Sequence, residues 1–105
     1  VGHFLDGKAS LVVGTHTHVP TNDARILSKG TGYLTDAGMC GDYDSVIGMD
    51  KKNSIKRFLK EESVKHFPSK GEASISGVIT EVSRETGLAV TIKSFIMGGV
   101  LSNTN

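Results

Sequence analysis

The segment that decides the fold is residues 11–20, which read LVVGTHTHVP. Its first three residues form a continuous apolar run closed by Gly14. Such a run is typical of a strand covered on both faces, because strands with one wet face alternate apolar and polar residues. Pro20 has no amide hydrogen, so ladder pairing should stop before it. The segment therefore predicts a buried strand within residues 9–15 whose carboxyl end carries a pair of histidines.

Two hairpins are predicted, one on each side of the middle of the chain. Residues 22–29 contain Ile26 and Leu27 and favour a short strand, and residues 31–35 are rich in strand formers. The Lys29-Gly30 turn between them favours an antiparallel pair. Residues 73–82 and 88–96 form a second pair of strand-like runs. Apolar and polar residues alternate in the last run, as in a half-buried strand. Strands combined with a helix indicate the α/β class.

A loop and a helix are predicted between the hairpins. Residues 36–48 are rich in Gly, Asp and Ser, which is a loop composition whose backbone can approach a ligand closely. Asp50 is a candidate N-cap for a helix that runs to about Glu61. The helix should bury one apolar stripe, because apolar residues recur at spacings of three and four. The stripe consists of Ile55, Phe58 and Leu59.

Length and composition limit the classes of protein that the chain can be. Its 105 residues allow one domain, and a composition of 37% hydrophobic and 22% charged residues is ordinary for a globular protein. A net charge of +1 without a basic patch makes a nucleic-acid polymer an unexpected partner. The single Cys40 favours the reducing cytoplasm. Residues 95–101 form an apolar run far shorter than the roughly 20 residues that cross a bilayer, so no membrane is expected.

His16 and His18 are the candidate metal ligands. In an extended segment, residues two positions apart project from the same face, with α-carbons about 6–7 Å apart. Two such rings can chelate one ion or can each hold one of two ions in a binuclear hydrolase. The alternative is that both are polar residues of an exposed turn, because a bare His-x-His is a weak motif.

Four longer stretches carry a resemblance to a known family. They are residues 14–21 (GTHTHVPT), 23–27 (DARIL), 30–39 (GTGYLTDAGM) and 44–51 (DSVIGMDK). They closely resemble the YmdB-like branch of the calcineurin-like metallophosphoesterases of bacteria, a family of 2',3'-cyclic-nucleotide 2'-phosphodiesterases. The resemblance extends more loosely through the closing hairpin and covers nearly all of the chain.

The resemblance implies a fold, a metal centre and a substrate. The fold would be the C-terminal portion of a four-layer α/β/β/α metallophosphoesterase sandwich, incomplete as a domain. His16 and His18 match the histidines of the family's Gly-x-His-x-His motif, so each would bind one of two divalent transition-metal ions, such as Fe, Mn or Zn. The substrate would be a cyclic nucleotide or another small-molecule phosphodiester.

The departures from the family are equally informative. The remaining ligands of the family, namely an Asp, a Glu, Asn residues and an earlier His, would come from segments before Val1, and so would the general acid. His3 does not replace the earlier His, since it aligns where the family usually has an aromatic residue. We therefore interpret residues 1–105 as the C-terminal part of a single metallophosphoesterase domain whose N-terminal part is absent. No catalytic residue is assigned, and the isolated chain is expected to be inactive.

Other polar residues are weaker candidates. Asp36 follows a predicted strand end and could shape the site, whereas Asp42 and Asp44 are ordinary loop residues. Cys40 has no identifiable base beside it, and His66 lies near a predicted helix end.

Two rival hypotheses remain. One is a non-catalytic, degenerate scaffold used for binding or oligomerisation, and the other is a mononuclear structural metal site. Exposed sheet edges and apolar faces lead us to expect a homo-oligomer or a complementing N-terminal part as partner.

Overall fold

The computed structural model describes residues 1–60 and 65–104. The elements in these residues are α1 (Gly2–Leu5), β1 (Leu11–Val13), β2 (Arg25–Ile26), β3 (Gly32–Leu34), α2 (Lys51–Leu59), β4 (Ile75–Val82) and β5 (Ala89–Met97). They form a three-stranded sheet and a two-stranded sheet, so the predicted α/β class is confirmed. The four-layer sandwich stays a prediction. No helix within the described ranges has both the length and the apolar content needed to cross a membrane.

The first sheet brings two strand ends to one edge. Its order is β1-β3-β2, with β1 parallel to β3 and β2 antiparallel to β3. The β2–β3 pair is the first predicted hairpin. Because β1 and β3 run in the same direction, with Val12 opposite Tyr33, the residues that follow each strand lie side by side. This edge carries the histidine pair.

The second sheet is the predicted β4–β5 hairpin. Its register runs from Ile75 opposite Met97 to Val82 opposite Ala89, with an irregularity between Glu81 and Val82. The hairpin is tied to the first sheet where the Ala89 amide donates to the Gly30 carbonyl at 2.8 Å.

The buried centre of the first sheet is small and partly polar. Leu34 is 0% exposed and Leu27 is also buried. Thr31, which is 0% exposed, donates its hydroxyl to the Ala9 carbonyl at 2.7 Å and accepts from the Gly7 amide at 2.8 Å. These bonds fasten the start of the chain to β3.

Helix α1 was not anticipated, because a four-residue helix leaves almost no periodic signal. A Cβ atom on Gly2 would lie 2.5 Å from the Tyr33 ring, so only glycine allows the helix to approach β3 this closely. The buried carboxylate of Asp6 accepts from the backbone amides of Lys29 and Thr31, which fixes the segment after the helix.

The predictions of burial for β1 and α2 were wrong. Within the described residues β1 pairs only with β3, and Val13 is 40% exposed. Helix α2 begins as predicted, with the Asp50 carboxylate accepting from the Asn53 amide at 2.9 Å, but its apolar stripe is exposed and Phe58 is 85% accessible. The described part of the chain supplies no element that covers this stripe. The predicted helix end near Glu61 lies outside the described residues.

Candidate functional site

The ends of β1 and β3 are locked together through Gly14. Its amide donates to the Leu34 carbonyl at 3.1 Å, and its carbonyl accepts from the Ala37 amide at 2.8 Å. A Cβ atom on Gly14 would lie 2.1 Å from the Thr35 carbonyl oxygen. The glycine before the histidine pair is therefore required by the close approach of the two strand ends.

Asp36 lies beneath the histidine turn and holds its central residue. The side chain is 1% exposed, and one carboxylate oxygen accepts from both the amide (2.6 Å) and the hydroxyl (2.7 Å) of Thr17. The other oxygen accepts from the Gly38 amide at 2.8 Å. The Thr17 hydroxyl bond is the main reason that the pKa of Asp36 is lowered, and the bonds from the Gly38 and Thr17 amides lower it further against the opposing effect of burial. Asp36 thus shapes the site by orienting Thr17, as the sequence suggested.

A second carboxylate, that of Asp23, is linked to Asp36 through Thr21. The Thr21 amide donates to the Asp36 carbonyl at 3.0 Å, and the Thr21 hydroxyl donates to Asp23 at 2.7 Å. Asp23 also accepts from the hydroxyl and amide of Thr35. These bonds, chiefly that from the Thr35 hydroxyl, lower the pKa of Asp23 to about 2. Sequence reasoning missed Asp23, although a Thr and an Asp two residues apart after a proline are a recognisable turn signal.

The histidine segment bends rather than continuing β1. Residues 16–19 form a bend, and His18 has a left-handed backbone with φ of 68°. The prediction of an extended segment was wrong, because Asp36 draws in both the amide and the hydroxyl of Thr17. His16 and His18 are both exposed. Their role as metal ligands stays a prediction.

The His18 ring is oriented by the glycine-rich loop. Its Nδ1 atom lies 2.7 Å from the carbonyl oxygen of Ile47. Because a carbonyl can only accept, Nδ1 must carry the proton, and in the neutral ring the lone pair is then on Nε2. Metal-ligating histidines are commonly held in this way, with the second ring nitrogen donating to a carbonyl or carboxylate.

The other candidate residues are engaged with groups other than the two histidines, or are exposed. Asp42 is buried and accepts from the Ser69 hydroxyl, which is the main reason that its pKa is lowered. Asp44 forms an exposed ion pair with Lys51 at 2.8 Å. His66 is exposed in the segment after α2.

The donor set of the described residues fits part of a metal site. Among residues 1–60 and 65–104, no group of three or more His, Cys, Asp or Glu side chains is arranged to hold an ion. His16 and His18 offer two exposed imidazoles, and His18 has Nε2 available. Two imidazoles can supply part of the ligands of a transition-metal ion, but they are too few to complete the coordination of two ions.

A cavity that the sequence did not reveal adjoins His18. Its volume is about 340 Å³, and its walls come from the loop before α2 and from the segment after it. The apolar lining residues are Met39, Ile47, Met49 and Pro68.

Two solved structures share this architecture. A protein described as a novel phosphatase, from Mycoplasma pneumoniae, superimposes with a TM-score of 0.85 at 37% identity, over 92% of this chain and 35% of that protein. A hypothetical protein from Thermus thermophilus gives a TM-score of 0.81 at 42% identity, over 93% of this chain and 38% of that protein.

The chain belongs to the YmdB-like protein family, whose family model matches residues 1–95. The 2',3'-cyclic-nucleotide 2'-phosphodiesterase of Bacillus subtilis (strain 168) is 46% identical over 97 residues, which are 92% of this chain and 37% of that relative. The resemblance predicted from the sequence is therefore confirmed. The chain spans between 35% and 38% of the length of these three proteins.

Proposed function

We propose that this chain supplies part of the active site of a metal-dependent phosphodiesterase that hydrolyses cyclic nucleotides or related small phosphodiesters. The observation that carries the proposal is the orientation of the His18 ring. Its Nδ1 donates to the Ile47 carbonyl at 2.7 Å, which leaves the lone pair of Nε2 available for a metal ion. The substrate class comes from the name of the Bacillus subtilis relative. The single cysteine favours the cytoplasm as the compartment.

The residues of this chain would bind the metal ions and hold the metal-binding histidines in place. His16 and His18 would each hold one of two divalent transition-metal ions, such as Fe, Mn or Zn, while Asp36 keeps Thr17 and therefore both rings in place. When bound, such ions stabilise negative charge on the phosphoryl oxygens. The remaining ligands and the general acid would come from polypeptide outside this sequence. The isolated chain should therefore bind metal weakly and show little turnover.

A chimera tests the proposal directly. Residues 1–95 would replace the matching segment of the Bacillus subtilis relative, and hydrolysis of 2',3'-cyclic AMP would be measured with Mn²⁺. We expect activity in the chimera and its loss in His16→Ala and His18→Ala. Asp36→Asn should lower metal affinity by about 10- to 100-fold, as losses of groups that orient metal ligands do. His66→Ala is the matched control, because His66 is an exposed histidine in another segment.

Two outcomes would contradict the proposal. One is full activity in His16→Ala or His18→Ala. The other is a chimera that melts as cooperatively as the parent and has no activity, which would favour a non-catalytic scaffold. Strong hydrolysis by the isolated chain would contradict the claim that it supplies only part of the site.

Association is also part of the proposal. Within the described residues β1 has one unpaired edge, and the stripe on α2 is exposed. We expect a homo-oligomer or a complementing N-terminal part to cover them, because uncovered edges and apolar faces promote association. Size-exclusion chromatography with light scattering would measure the oligomeric state.

A further inference from the structure

We propose that the cavity beside His18 binds the nucleobase of a nucleotide by apolar contact, without base-specific hydrogen bonds. This inference rests on the proposed function and adds a subsite to it. The volume of about 340 Å³ lies at the low end of the roughly 300–1,000 Å³ typical of ligand pockets. A cavity of this size suits a small ring system.

The walls of the cavity are largely apolar, and most of their polar groups are engaged. The His18 ring in the wall keeps Nε2 available, whereas the Cys40 thiol donates to the Ser76 carbonyl at 3.5 Å. Both backbone groups of Met39 are bonded to the Tyr43 hydroxyl, at 2.8 and 3.1 Å. The Ser69 hydroxyl is donated to Asp42, and the Ser69 amide is donated to the Gly48 carbonyl at 2.8 Å. Hydrogen-bonding edges of a base would find these partners already engaged, so recognition would depend on shape and dispersion.

Ile47 links the cavity to the histidine site. It is β-branched, has a left-handed φ of 46° and is 56% exposed, so its own burial does not explain the strained backbone. Strained residues of this kind cluster at functional sites. Ile47 lines the cavity and also holds His18 through its carbonyl. A base in the cavity would therefore place the attached sugar and phosphate next to His18.

The surroundings of the cavity favour a nucleobase as its occupant. The cavity lies next to His18, and the Asp42 carboxylate in its wall already accepts a hydrogen bond from Ser69. An occupant should therefore be a neutral group, and it should be attached to a phosphate that can reach the histidines. A nucleobase meets both conditions, because it is a neutral, flat ring attached to a phosphate-bearing sugar. Purines should bind more tightly than pyrimidines, since they bury a larger apolar area.

Nuclear magnetic resonance of ¹³C-methyl-labelled methionine tests the subsite on the full chain. The sequence has three methionines, of which Met39 and Met49 line the cavity while Met97 ends β5. On titration with adenosine, the methyl signals of the first two should shift saturably and that of Met97 should stay in place. Cytidine should give the same pattern with weaker binding. Ribose 5-phosphate should leave all three signals unchanged.

A matched pair of variants sharpens the test. Ile47→Gly should weaken adenosine binding roughly four- to fifteenfold, the loss expected when one or two buried methylene equivalents are removed. Glycine accepts the left-handed backbone, so the loop should keep its shape. Ile55→Ala is the control, because Ile55 is similarly exposed (54%) on α2, away from the cavity. It should bind adenosine like the unaltered chain.

Three results would overturn the inference. They are unmoved Met39 and Met49 signals, an equal shift of Met97, or the same shifts with ribose 5-phosphate. Neither metal nor a phosphoester is present in the adenosine titration, so its failure is separate from failure of the chimera to hydrolyse 2',3'-cyclic AMP.

Discussion

Replacing Thr31 with Val removes a buried hydroxyl while keeping the shape of the side chain. Thr31 directly precedes β3 and is 0% exposed. Its hydroxyl donates to the Ala9 carbonyl at 2.7 Å and accepts from the Gly7 amide at 2.8 Å. Thr31→Val therefore removes the partner of two backbone groups at once.

The magnitude follows from the surroundings of those two groups. A buried polar group left without a partner costs about 1–3 kcal/mol. Gly7 is exposed and Ala9 is half-buried, so water can reach part of the site and we expect about 2 kcal/mol for the pair. For a chain of this size that lowers Tm by roughly 8–16 °C.

Urea unfolding followed by circular dichroism at pH 7 would measure the loss. Thr31→Ser is the matched control, because it keeps the hydroxyl and loses one methyl group, worth about 0.8 kcal/mol. The Val variant should be clearly less stable than the Ser variant, with the same denaturant slope. Equal stability, or a more stable Val variant, would refute the reasoning.

Three further predictions concern the helix cap, acid stability and the strained loop. Asp50→Ala should cost about 1 kcal/mol in thermal melts, because the Asn53 amide loses its cap, and Asp50→Ser should restore most of it; equal melts would contradict this. The pKa of Asp23 in the folded chain is about 2, and that of Asp36 is lowered. The two carboxylates therefore stabilise the folded state fully above the ordinary carboxyl pKa, and this stabilisation is lost as pH falls from about 4 towards 2. A free energy of unfolding in urea that is the same at pH 6 and pH 3 would disprove this prediction. Ile47→Gly should leave the free energy of unfolding unchanged or raise it by up to about 1 kcal/mol, because glycine relieves the left-handed strain; a loss above about 1 kcal/mol would count against the strain.

Several elements could be predicted because their signals are local. The apolar run closed by Gly14 predicted β1, the turn at Gly30 predicted the first hairpin, and Asp50 predicted the start of α2. Each depends on residues within a few positions of one another. Whether an element is covered depends on distant parts of the fold, so the predicted burial of β1 and of the α2 stripe failed.

The bend at the histidines shows the same limit at the site. The position of His16 and His18 at the end of a predicted strand indicated an extended segment, but the backbone of Thr17 is held by Asp36, 19 positions away in the sequence. The sequence indicated that Asp36 could shape the site, but a local pattern cannot show that the parallel pairing of β1 and β3 brings its carboxylate to Thr17. The cavity was missed for the same reason, because its two walls lie on either side of α2.

The residue types of the site, and their position at the end of a strand, were determined by the sequence alone, because strand periodicity and turn residues act over short distances. The tertiary structure decided which nitrogen of His18 is free and which residue of the cavity wall, Ile47, contacts His18. Those properties depend on the contact between His18 and Ile47, which are 29 positions apart, and on a strained backbone that no local preference would choose.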